Sequence, residues 1–134
     1  MTVQMYMQPA RLGAARAQYQ NVDFQSRVEG ASPHRLVGIL FEELIKSIDA
    51  MAAACRRGDY VQRGVRQSRA LNILHGLEGS LDFEKGGEIA VDLAAIYRET
   101  RRLALEAGRD NDPAHLVRAR EMLAEIATAW DQIG

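Results

Sequence analysis

The stretch SLDFEKGGEIA, residues 80–90, decides how this chain folds. A helical pattern runs into it and ends at Leu81, and a second begins at Glu88. Between them Asp82, Phe83, Glu84 and Lys85 lead to Gly86-Gly87, a pair that no helix favours in its interior. Glycine past a helix end supplies left-handed backbone that residues with a side chain resist. The stretch therefore predicts a sharp helix–turn–helix reversal at Gly86-Gly87. The acidic residues around it, Asp82, Glu84 and Glu88, read as caps for free N–H groups rather than as acid–base or cation-binding groups.

Upstream, Asp59 with Gln62 three residues on makes a capping-box pattern. The helix it opens carries Ala70, Ile73, Leu74, Leu77 and Leu81 as one apolar stripe. The opposite face is unusual. Val61, Val65, Ser68, Asn72, Gly76 and Gly79 recur there at spacings of three and four, all short or polar. Such a face lets another backbone approach closely, with a neighbouring helix of the same bundle the favoured occupant and a partner's helix the alternative. Each interior glycine costs about 1 kcal/mol relative to alanine, so something other than helix stability favours it.

Further upstream, Ser32-Pro33 opens a long helix, Ser as N-cap and Pro at the first helical position. Leu36, Val37, Leu40, Phe41, Leu44, Ile45, Ile48, Met51 and Cys55 cover about half of its cylinder, enough to touch two neighbours. Ile39 falls on the opposite face, near Glu43 and Lys46. Arg56, Arg57 and Gly58 end the helix. Residues 14–25 predict a short helix with a weak apolar face that includes Tyr19 and Phe24. Residues 1–13 show no sustained period and read as a mobile tail.

Downstream, Ile89, Leu93, Ile96, Tyr97, Thr100, Leu103, Ala104 and Ala107 make a clean stripe. Val91 and Leu105 lie outside it, flanking Arg98 and Arg101, and Gly108 is expected to stop the helix. Asp112-Pro113 repeats the N-cap-plus-Pro start, and the last helix is lined by Leu116, Ala119, Met122, Leu123, Ile126, Trp130 and Ile133. Tyr97 and Trp130 sit on core stripes, where the polar end of each is expected to find a partner. Four amphipathic helices of about 20 residues with short connections predict an all-α fold: an antiparallel four-helix bundle with a short extra N-terminal helix as a cap. Residues 14–134 are expected to form one helical-bundle domain.

Composition removes several function classes. The 134 residues carry a net charge of −1, without the basic face of a dedicated nucleic-acid binder. Arg63, Arg66 and Arg69 cluster without an aromatic platform and read as a solvated face. Fifteen of the seventeen basic residues are Arg, a bias that suits protein contacts and that genomic base composition also produces. Cys55 is alone, on an apolar face and without a neighbouring His, so it reads as a small buried hydrophobe in a reducing compartment. No run reaches the roughly 18 apolar residues of a membrane span, and no signal peptide is evident. The expected location is the cytoplasm. His34, His75 and His115 lie on different helices without metal spacing, so no metal and no cofactor are expected. What remains is binding: Ile39, Leu71, Val91, Leu105 and Val117 fall off the core stripes, and a partner site exists if two or more merge into one groove.

The assembled residues resemble the flagellin-specific export chaperone family over about residues 14–132. The likeness runs through Ala17 and Tyr19, Ala31-Ser32-Pro33 followed by LVGILFEELI, Gly58-Asp59-Tyr60, the ALNILHGLEGSLD run, GGEIA with Leu93, Ile96 and Tyr97, the Asp112-Pro113 start and the terminal Trp130. Phe41-Glu42-Glu43, Asp92 and Thr100 depart from the residues frequent there. The resemblance implies a cytoplasmic chaperone that holds the disordered C-terminal segment of flagellin, prevents premature polymerisation and presents it to the flagellar type III export gate. It implies that the segment wraps around the bundle in apolar grooves, and that an N-terminal region including Tyr19 folds back over part of that surface. Tyr19, Ile39, Val65, Ser68, Asn72, Val91 and Leu105 are the candidate contacts. The rival readings are an enzyme built on Tyr97, Asp82 or Glu88 around an internal cavity, an adaptor for another flagellar protein, and a self-associating structural bundle.

Overall fold

A computed structural model of the chain describes residues 22–133. It contains five helices: α1 (Val22–Val28), α2 (Pro33–Arg57), α3 (Tyr60–Gly79), α4 (Phe83–Asp110) and α5 (Ala114–Gln132). No strand occurs among the described residues. Connections of two or three residues join the long helices, so each must run antiparallel to the next. α2 packs on α3 and α5, and α4 packs on the same two, closing a four-membered ring. α1 leans mainly on α2.

The local chemistry explains the boundaries. Ser32 Oγ accepts the Arg35 N–H at 3.1 Å, Asp59 Oδ1 that of Gln62 at 3.0 Å and Asp82 Oδ1 that of Lys85 at 3.0 Å. Each cap satisfies an amide that the first turn leaves open. Gly58 ends α2 in the left-handed region at φ 71°.

Three boundary expectations are corrected. Helical backbone resumes earlier than expected, at Phe83 under the Asp82 cap, but the break at Gly87 falls where the sequence put it, with one helical turn before it and the long helix after it. Gly86 is buried, and Gly87, at φ 51° and ψ −128°, kinks α4 after its first turn. Gly108 does not stop α4, which continues to Asp110; Asn111, at φ 50°, takes the left-handed cap instead. Gly108 leaves room for Gln67, whose Nε2 donates to the Ala104 carbonyl at 3.1 Å. Pro113 precedes α5 rather than occupying its first position, and Asp112 Oδ1 accepts the Ala114 N–H at 2.9 Å.

The core centres on Phe41. Its ring lies 6.4 Å from that of Tyr97 on α4 and 6.0 Å, edge-on, from that of Trp130 on α5. Cys55 is buried, and that burial raises its thiol pKa. Ile39 corrects the wheel: it is 1% exposed and belongs to the core. α2 is covered on more than two sides, by α3, α5 and α1, so its supposed outer face is interior. Glu43, 8% exposed on that face, accepts from Arg27 of α1 at 3.0 Å and Arg69 of α3 at 3.4 Å. Arg27 also pairs with Glu42. Arg63 donates to Asn111 at 2.8 Å, so two of the three Arg expected on a solvated face tie helices together.

Candidate functional site

The short-residue face of α3 meets no helix of the bundle. Val61, Val65, Ser68, Asn72 and Gly79 are all exposed, which corrects the expectation of a neighbouring helix there. Instead, its C-terminal half forms one wall of an open groove of about 670 Å³ between α3 and α4. Leu71, Asn72, His75, Glu78 and Gly79 come from α3, and Arg101 and Leu105 from α4. These positions recur one turn apart on each helix, so both walls run along the helix axes. Leu71 packs partly on the core, whereas Leu105 is 49% exposed. The two off-stripe leucines thus merge into one concave apolar surface.

Charge gathers along this groove. Glu78 Oε1 lies 2.7 Å from Arg101 and Oε2 accepts from Arg98 Nε at 3.1 Å. Partial burial pushes the Glu78 pKa up, but the hydrogen bonds from Arg101 and Arg98 prevail and hold it below the usual glutamate value. A second groove, of about 380 Å³, lies between α2 and α5. Ala52 and Val117 line it together with Arg56, Arg120, Asp49 and Glu121, and Arg120 Nε donates to Asp49 at 2.8 Å.

The candidate contacts therefore separate. Asn72 and Leu105 share the α3–α4 groove. Val65 and Ser68 continue the outward face of α3 but line neither groove. Val91 is 56% exposed and also lines neither. Ile39 is interior, and Tyr19 lies outside the described residues. Residues 1–13 lie outside them too. Sequence reasoning missed Glu78 and Arg101, whose pairing spans two helices and leaves no periodic signal.

The residues of the enzyme reading do not converge. Tyr97 is fully buried and its hydroxyl has no partner among the described residues, against the expectation that its polar end would find one. Burial alone drives its pKa far above that of a free tyrosine. Asp82 caps α4, and Glu88 is exposed. His34 stacks on Trp130 at 4.9 Å, and His115 faces the carboxylates of Asp110 at 3.5 Å and Glu106 at 3.7 Å. Among the described residues no group of side chains could hold a metal ion, and no helix is long and apolar enough to cross a membrane.

Comparison with known proteins places this geometry in context. The family described as "Flagellar protein FliS" matches residues 15–134. The flagellar secretion chaperone FliS of Salmonella typhimurium is 38% identical over 116 residues, covering 86% of each chain. FliSB of Pseudomonas aeruginosa, also a flagellar secretion chaperone, is 32% identical over 119 residues, 89% of this chain and 94% of the relative. FliS of Vibrio cholerae is 35% identical over 115 residues, 86% of this chain and 85% of the relative.

Proposed function

The chain belongs to the flagellar protein FliS family of flagellar secretion chaperones, and from that premise we propose that it binds the C-terminal segment of flagellin in its surface grooves. The observation that carries this reading is the merging of Leu71 and Leu105, both off the core stripes, into one open groove between α3 and α4. An apolar groove between two helices suits an amphipathic segment that orders as it docks. A disordered client pays an ordering cost, so it must cover a long surface, and the α2–α5 groove supplies further surface. The chaperone acts on flagellin in the cytoplasm, keeps it from polymerising and presents it to the flagellar export gate. The protein works by binding, without catalysis, cofactor or metal. Residues 14–134 act as one domain, with residues 1–13 as a tail.

Titration calorimetry of the full-length protein with the C-terminal flagellin peptide of the same organism tests the reading. Sub-micromolar affinity, a negative heat-capacity change and a gain of helix are expected. A peptide that does not bind overturns it.

A further inference from the structure

Resting on the reading that the α3–α4 groove takes the client, we infer that His75 makes the hold of that groove sensitive to pH: the neutral imidazole admits the client's apolar segment and the protonated ring opposes it. The groove walls carry three ionisable side chains, Glu78, Arg101 and His75. Arg101 lies 2.7 Å from Glu78, and Arg98, outside the lining, gives Glu78 a second contact at 3.1 Å. Those hydrogen bonds hold the Glu78 carboxyl below the usual glutamate range, and a guanidinium keeps its proton throughout. The Glu78–Arg101 pair is therefore charged and mutually satisfied across the neutral and mildly acid range. That leaves His75, and histidine is the side chain that ordinarily changes charge between pH 5 and 8. His75 is exposed, and among the described residues it has no hydrogen-bond or ionic partner.

Leu71 stands one turn before His75 on α3, and Leu105 lines the facing wall. An apolar residue seated between the two leucines covers the imidazole and takes water away from it. Loss of water disfavours the charged form. The groups around the ring do not offset that cost. Glu78, on the same helix, is already taken by two guanidiniums. On α4, Arg101 repels an imidazolium, and Glu99 is paired with Arg102. α2 and α5 add no group to this groove. The free protein therefore takes up a proton more readily than the complex does, and acid competes with the client. Affinity is complete above the range in which histidine titrates, about 6.5 in water, and falls as the pH drops through it. The α2–α5 groove has no histidine in its walls. His34 stacks on Trp130, His115 faces Asp110 and Glu106, and neither lines the α3–α4 or the α2–α5 groove. Acid thus loosens one groove and leaves the other as it was.

Calorimetric titration of the full-length protein with the flagellin C-terminal peptide, at about pH 7.5 and about pH 5.5, tests this. The wild type is expected to bind about fivefold more weakly in acid. His75→Gln, neutral at both values, is expected to match the wild type at the higher pH and to lose less than about twofold on acidification. Near the midpoint, at about pH 6.5, the wild type should release part of a proton on binding that His75→Gln does not. The dependence of the binding heat on the buffer's ionisation enthalpy reads that difference. His115→Gln should keep the wild-type behaviour, and His75→Asn replaces His75→Gln should the latter not fold. Equal losses in the wild type and His75→Gln, whether from the client's own groups or from the fold, overturn the inference. So does wild-type binding that ignores pH, and so does tighter binding in acid, which marks an acidic group of the client against His75. A shift between monomer and dimer with pH at constant client affinity overturns it in favour of a second copy. All of these leave the client reading standing. A wild-type protein that binds no peptide at either pH overturns the client reading beneath it.

Discussion

The Trp130 indole donates to the backbone carbonyl of His34 at 3.0 Å, across 96 positions of sequence. The same indole stacks on the His34 ring and meets Phe41 edge-on. The last helix is thereby fastened to the first turn of α2, and the ring of helices is closed. Trp130→Phe keeps most of the apolar volume but leaves that carbonyl without this donor. A loss of about 1–2 kcal/mol is expected. Chemical denaturation followed by circular dichroism measures it, and the protein's single Trp lets fluorescence report the same transition in the wild type.

Tyr97 makes a prediction of opposite sign. Its hydroxyl is buried without a partner among the described residues, so Tyr97→Phe should be neutral or stabilise by up to about 1 kcal/mol. Burial raises the folded pKa well above the 10.0 of a free tyrosine, so the folded state keeps a proton that the unfolded state loses. Stability contributed by this group is complete below pH 10.0 and falls above it. The loss approaches about 1.4 kcal/mol per pH unit. Denaturation between pH 9 and 12 should show a shallower decline in Tyr97→Phe than in the wild type.

Gly64 and Gly87 separate space from backbone conformation. A Cβ added at either meets nothing within 4 Å. Gly64 is helical, and Gly64→Ala should stabilise by about 0.5–1 kcal/mol through helix propensity. Gly87 sits at φ 51° and ψ −128°, and Gly87→Ala should destabilise by about 1–3 kcal/mol. Thermal melts of the pair check both signs at once.

Glu43 receives Arg27 from α1 and Arg69 from α3. Glu43→Gln removes the shared charge and should loosen α1, which is otherwise held by Val28 and the Arg27–Glu42 pair. Amide exchange across Val22–Val28 should rise about tenfold, while exchange in α2 stays slow. Hydrogen-exchange mass spectrometry resolves the two segments.

For client binding, Leu105 and Val91 are the informative comparison. Both are exposed, and Leu105, unlike Val91, lines the α3–α4 groove. Leu105→Asp should weaken flagellin-peptide binding at least about tenfold with the fold intact. Val91→Asp should change it less than about twofold. Equal losses would move the binding surface away from the groove.

Much of the fold was legible because helix caps and apolar periods are local signals. Ser32 and Asp59 cap helices at the positions that their spacing implied, and the stripes through Leu36, Ile73, Leu93 and Leu116 face the core. What could not be read depends on what lies across a helix. Ile39 looks peripheral on a wheel, yet α1 and α3 close over that face through Glu43. Gly87 breaks the helix as its place in the sequence implied, yet the capped turn that Asp82 starts just before it was not read. Half of the candidate site was also visible: Asn72 and Leu105 were found as off-stripe residues of two helices. Glu78, Arg98 and Arg101 were not, since ion pairs between helices have no period in sequence.

The ring order of the helices sets where the two grooves lie. The α3–α4 and α2–α5 seams are opposite edges of the ring, and they share no helix. A single chain seated in both is therefore a bivalent ligand whose two footholds fail independently. While one holds, the other rebinds at high local concentration, so spontaneous escape is slow. A pull on one end breaks the footholds one after the other instead of together. The complex can thus be long-lived in solution and still be undone by a modest directed force.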